Sequence, residues 1–170
     1  MSELNRCEKE RPVKYIFADS SEYPPVRVCG ENAVYAREML NNIGACDSEM
    51  SSIAGYVYNS MIATGEYEGL GEAFSKISMV EMRHLNIFGQ LVDMLGGDPR
   101  LWSVNRGRYT YWTAACNQYP RNVQEILKHS YRAEEAAIEK YEWQIRHIDD
   151  RYIQEILRRI ILDEKCHLKV

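Results

Sequence analysis

The chain has 170 residues, a formal net charge of −4 and 45% apolar residues, which suffices to bury one core as a single domain. Its basic residues form no block, its first twelve residues hold no apolar stretch and no apolar run reaches about 18 residues, so nucleic acid and membrane are excluded as expected partners. The five cysteines, Cys7, Cys29, Cys46, Cys116 and Cys166, contain no CxxC pair, which argues against a disulfide framework, a four-cysteine iron site or a zinc ribbon and points to the reducing cytoplasm.

Residues 1–30, punctuated by Pro12, Pro24-Pro25 and Gly30, read as an extended N-terminal arm, and residues 31–170 as one bundle domain. From Asn32 to about Thr64 the spacing is helical, with Cys46, Glu49, Ile53, Tyr56, Ser60 and Ala63 on one stripe and Gly65 as a stop. Gly44 and Asp47 leave open whether this segment is one helix or two. Leu70, Phe74, Ile77, Glu81, His84, Phe88, Leu91 and Leu95 define a second helix ended by Gly96-Gly97-Asp98-Pro99. The next stretch, about two dozen residues to Pro120, carries Trp102, Tyr109, Tyr111, Trp112 and Tyr119 without a sustained period, and reads as a long crossover lying over the bundle. A third helix from about Asn122 to Ile148 turns Val123, Leu127, Ser130, Glu134, Ala137, Tyr141 and Ile145 inward. After Asp149-Asp150 a fourth, starting near Arg151, aligns Ile153, Leu157, Ile160, Glu164 and His167. The predicted fold is all-α: an antiparallel four-helix bundle with one long crossover between its second and third helices.

An ionised carboxylate on an inward stripe costs several kcal/mol, of order 3 to 5, if left uncompensated, yet each of the four stripes carries a glutamate. Glu81 and Glu164 are each followed three residues later by histidine, His84 and His167, which places carboxylate and imidazole on one helix face about 4.5 Å apart along the axis. Glu49 and Glu134 are each followed seven residues later by Tyr56 and Tyr141, so the two halves of the chain repeat one pattern. Four carboxylates with two neutral imidazoles balance two divalent cations, and hard oxygen ligands with one nitrogen per ion favour iron or manganese. The predicted ligands are therefore Glu49, Glu81, His84, Glu134, Glu164 and His167. Tyr56 and Tyr141 are placed to hydrogen-bond ligands, and Asp163 to accept the outer ring N–H of a ligand histidine. His129, His147 and Glu135 fall off the stripes and read as surface residues, while Cys46 and Cys166 read as small buried residues.

With these residues in place, the chain resembles the ferritin-like di-metal carboxylate proteins, the superfamily of rubrerythrins, bacterioferritins and manganese catalases, over residues 32–170. The runs Glu81 to Leu85 and Ile161 to His167 are similar to those of small rubrerythrin-like and manganese-catalase-like bacterial proteins. The resemblance implies the same six ligands, with Asp163 orienting a histidine. Rubrerythrins usually carry a further glutamate one turn after the third-helix ligand, where this chain has Ala137, and often a rubredoxin domain, which this sequence lacks.

The expected function is a redox enzyme acting on hydrogen peroxide or dioxygen through two iron or two manganese ions, as a peroxidase with an external electron donor or as a catalase. The alternatives are a ferroxidase handling iron for storage, and a structural, spore-coat-like protein whose metal is a staple. A homodimer is the expected assembly.

Overall fold

A computed structural model describes residues 15–65 and 67–170. The elements in chain order are helices α1 (Ala33–Gly44), α2 (Glu49–Ala63) and α3 (Glu68–Met94), strands β1 (Trp102–Asn105) and β2 (Arg108–Tyr111), a 3₁₀ turn (Ala114–Cys116), and helices α4 (Val123–His147) and α5 (Arg151–His167). Helices α1 and α2 together form the first rod of a four-helix bundle whose other rods are α3, α4 and α5.

The first rod breaks because β1 crosses it. A Cβ added at Gly44 would collide with the backbone of Trp102, and Asn41 Oδ1 accepts the Val104 backbone N–H at 3.0 Å. Three helices open on side-chain caps that satisfy orphan backbone donors: Asn32 for α1, Asn122 for α4 and Asp150 for α5. Helix α3 ends on Gly96, whose φ of 83° suits a left-handed C-terminal cap.

Two apolar clusters fill the bundle. One gathers Met39, Ile43, Phe88, Leu91, Ile153, Leu157 and Ile160, the other Tyr56, Ala63, Phe74, Ile77 and Ile126. On α3 the pair Glu81 and His84 falls between Ile77 of one cluster and Phe88 of the other, so a polar layer interrupts the core. The described part of the arm crosses α5: Arg159 donates to the Ser21 and Asp19 carbonyls at 2.9 Å each, and the Asp19 N–H donates to Asp163 at 2.7 Å. The part of the predicted arm formed by residues 1–14 lies outside the described residues.

Three expectations are corrected. The crossover is not wholly irregular: β1 and β2 pair antiparallel from Trp102 with Tyr111 to Asn105 with Arg108, joined by Arg106 (φ 49°) and Gly107 (φ 75°), the positive angles of a tight two-residue hairpin turn. Leu127 points outward at 39% exposed and Ile126 is fully buried instead, packed with Tyr56, Phe74 and Ile77 in the second cluster. Cys46 is not a buried stripe residue. It lies exposed in the turn between α1 and α2, paired in a disulfide with Cys116, 70 residues away. The folding of the crossover back onto the start of α2 brings the two together, a contact with no counterpart in cysteine spacing.

Candidate metal centre

Glu49 is the first residue of α2, Glu81 and His84 lie mid-way along α3, Glu134 mid-way along α4, and Glu164 and His167 in the last turn of α5. All six are buried. They form two four-residue groups whose candidate ligand atoms lie within 4.8 Å of one another: Glu49, Glu81, His84 and Glu164, and Glu81, Glu134, Glu164 and His167. Glu81 and Glu164 belong to both groups.

Both histidines turn Nδ1 to the middle. His84 Nδ1 lies 3.0 Å from Glu81, 3.3 Å from Glu164 and 3.8 Å from Glu49. His167 Nδ1 lies 2.9 Å from Glu164, 3.2 Å from Glu81 and 3.5 Å from Glu134. Close as these atoms are, Glu81 Oε1, both Glu164 oxygens and His167 Nδ1 make no hydrogen bond of acceptable geometry among the described residues. Buried polar atoms are nearly always satisfied. Six side chains aimed at a shared space, with lone pairs left over, fit a pair of divalent cations as the missing partner.

The surrounding shell holds these ligands in place. The Tyr56 hydroxyl donates to Glu134 Oε1 and the Tyr141 hydroxyl to Glu49 Oε1, so each half of the repeat supports the other half's glutamate. Asp163 Oδ2 lies 3.1 Å from His84 Nε2 and its other oxygen accepts from Arg159 at 2.7 Å. The outer nitrogens of the two histidines differ, however. His84 Nε2 has Asp163 and also the Tyr23 hydroxyl at 3.0 Å, whereas His167 Nε2 is buried without a partner among the described residues. The cause is in the repeat: Asp163 precedes Glu164, but Val80 precedes Glu81.

Sequence reasoning missed Tyr23 and Arg159. The Tyr23 ring lies between two guanidiniums, Arg83 at 3.9 Å and Arg159 at 4.1 Å, a cation–π sandwich, and its hydroxyl donates to Asp163. The four-residue step from Arg159 to Asp163 was a usable signal; nothing marks an arm tyrosine. His147 is exposed as expected, whereas His129 is not a surface residue but half-buried in the wall of a cavity between α2 and α4.

The protonation pattern follows from burial and charge. Burial, reinforced by the Glu81 and opposed by the His84 charge, pushes the Glu49 carboxyl up to about 8. Burial and the Glu164 and Glu81 charges raise Glu134 well above the usual carboxylate range. Burial would also raise Glu164 and Glu81, but the histidines outweigh it and hold both low. The same carboxylates overcome burial and raise His84 and His167 well above the ordinary histidine value. Asp163 is held down to about 2 because hydrogen bonds from His84, Tyr23 and Arg159 outweigh its burial. In the metal-free cluster burial and charge thus favour protons on Glu49, Glu134 and both imidazoles and ionised Glu81 and Glu164, and two divalent cations would supply the same neutralising charge.

A four-helix bundle with a glutamate on two rods and Glu-x-x-His on the other two defines the ferritin-like di-metal carboxylate class. Within it, the family description "Rubrerythrin" matches residues 39–170, and the chain belongs to the rubrerythrin family. The fold is similar to that of the manganese catalase KatB from Anabaena PCC7120, with a TM-score of 0.78 at 20% identity over 91% of this chain and 76% of that one. A second structure, of the wild-type KatB, matches to the same extent. No curated protein matches in sequence.

Proposed function

We propose that the chain is a di-metal carboxylate oxidoreductase that consumes hydrogen peroxide or dioxygen, with Glu49, Glu81, His84, Glu134, Glu164 and His167 holding two iron or two manganese ions. The observation that carries this reading is the set of buried, hydrogen-bond-deficient oxygen and nitrogen atoms of Glu81, Glu164 and His167 facing one space. Membership in the rubrerythrin family and a fold shared with a manganese catalase support it. Two such ions, once bound, would each exchange one electron with the oxidant.

The chain's own residues do the rest. The Tyr56 and Tyr141 hydroxyls, raised by burial well above their ordinary value, stay protonated and act as donors. Each engages one oxygen of its glutamate and leaves the other for a metal. Asp163, anchored by Arg159, fixes the tautomer and ring plane of His84 with Nδ1 inward. Burial of all six ligands keeps bulk water from competing. At the place of the extra rubrerythrin glutamate stands Ala137, so that position would supply no further carboxylate to the ions.

Among the described residues, no helix is long and apolar enough to cross a membrane. We place the protein in the cytoplasm as a homodimer, with an external electron donor when it acts as a peroxidase. The test is peroxide consumption by protein loaded with iron or with manganese, with and without a reductant. Consumption without reductant identifies a catalase, and consumption only with reductant a peroxidase. No turnover with either metal contradicts the reading, and a large multi-subunit cage in gel filtration would favour iron storage.

A further inference from the structure

Between α2 and α4 lies a cavity of about 260 Å³ whose wall includes both disulfide sulfurs' residues, Cys46 and Cys116, together with Ser48, Tyr56 and Tyr141. Ser48 is only 2% exposed, yet its hydroxyl has no hydrogen-bond partner among the described residues, and although Ser48 is the N-cap of α2 its side chain makes no cap hydrogen bond. A buried hydroxyl in the wall of a cavity this size has room for a small polar guest, water or another molecule that donates or accepts. The cysteine beside it, Cys46, is solvent-exposed, and Cys116 is half-buried, so an external thiol can reach the bond.

From this juxtaposition we infer that Cys46 and Cys116 are a peroxide-reducing thiol pair, with the guest at Ser48 a hydroperoxide and a small dithiol as the reductant. The inference does not rest on metal binding. The dithiol exchanges with the disulfide, giving two protein thiols and an oxidised dithiol. The Cys46 thiolate then attacks one peroxide oxygen; the O–O bond breaks, the sulfur becomes a sulfenic acid and hydroxide leaves to be protonated as water. The Cys116 thiol attacks that sulfur, restoring the disulfide and releasing a second water. Peroxide gains two electrons and the dithiol loses two. Cys46 lies just ahead of the α2 N-terminus, whose partial positive charge favours a thiolate, while the adjacent Asp47 carboxylate, which would oppose one, is paired with the Lys140 ammonium at 3.9 Å. In the cytoplasm proposed above, disulfides are mostly transient and catalytic.

Cys29, an exposed free thiol of the same chain, is the internal reference. The folded protein, stripped of metal with a chelator, is reduced with dithiothreitol, desalted and given one equivalent of hydrogen peroxide, and each cysteine is followed by alkylation and mass spectrometry. Cys46 and Cys116 are expected to become alkylatable without denaturant, then to lose label together at least about tenfold faster than Cys29. Ser48→Ala is expected to slow Cys46 several-fold and leave Cys29 unchanged, and Cys116→Ser to leave a dimedone adduct on Cys46. A disulfide that opens only in denaturant, or a Cys46 no faster than Cys29, overturns the inference. The wild-type labelling decides even if a variant misfolds, and because metal is absent a failure here leaves the di-metal reading standing.

Discussion

Replacing Glu49 with alanine should cost the protein one metal ion, whereas replacing Glu81 should cost it both. Glu49 belongs to one ligand group and Glu134 to the other, but Glu81 and Glu164 serve both. Deleting Glu49 leaves Glu81, Glu134, Glu164 and His167 intact around the second position, while the first keeps only two carboxylates and His84. Loss of an outer-shell partner alone weakens metal affinity roughly 10- to 100-fold, and loss of a direct ligand should exceed about 100-fold. At a free metal concentration about ten times the wild-type dissociation constant, occupancy of the damaged position then falls from about 90% to below about 10%. Elemental analysis after anaerobic dialysis should give about two ions per wild-type chain, about one for Glu49→Ala or Glu134→Ala, and close to none for Glu81→Ala or Glu164→Ala, with circular dichroism confirming that each variant is folded. Equal losses in all four variants, or a retained ion in Glu81→Ala, would show that the two positions do not share these carboxylates.

The outer nitrogen of His84 is held and that of His167 is not, so the two ions should bind stepwise in an anaerobic titration, with the His84 position tighter by about tenfold or more; Asp163→Ala should abolish that preference and, by leaving Arg159 buried without its carboxylate, destabilise the fold by about 3 to 5 kcal/mol in urea. Tyr56→Phe leaves Glu134 Oε1 without its donor and should lower metal-bound stability by about 1 to 3 kcal/mol with little change in volume, read as a shifted denaturant midpoint. Glu49 is raised to about 8, Glu134, His84 and His167 are raised as well, and a group whose folded value lies above its unfolded one stabilises the fold below the unfolded value and loses that contribution as pH rises through the folded one. The metal-free protein should therefore lose stability from about pH 5 to 8, while metal affinity rises over the same range and binding releases protons, approaching four per pair of ions near neutrality; calorimetry in buffers of different ionisation enthalpy measures the number, and a pH-independent affinity would contradict it.

The rods and the six candidate ligands were legible because two periodicities coincide: the three-four spacing that marks a buried face, and the Glu-x-x-His step that only a helix brings onto one side. A glutamate such as Glu134 stands out on an apolar stripe because burial makes it anomalous. The break after Gly44 was visible as a glycine but not decidable, since its cause is the backbone of Trp102, a residue far along the chain. The hairpin escaped because four-residue strands, one of them fully exposed, leave too short a pattern. The Cys46–Cys116 bond and the Tyr23 contact to His84 depend on how the crossover and the arm lie across the bundle, and long-range placement of irregular segments has no periodic trace.

The most direct test is anomalous X-ray scattering from crystals of the protein loaded with manganese or iron, recorded on both sides of the metal's absorption edge. The account predicts two peaks per chain, one amid Glu49, Glu81, His84 and Glu164 and one amid Glu81, Glu134, Glu164 and His167. Peaks elsewhere, or none between the four rods with those side chains still turned inward, would contradict it.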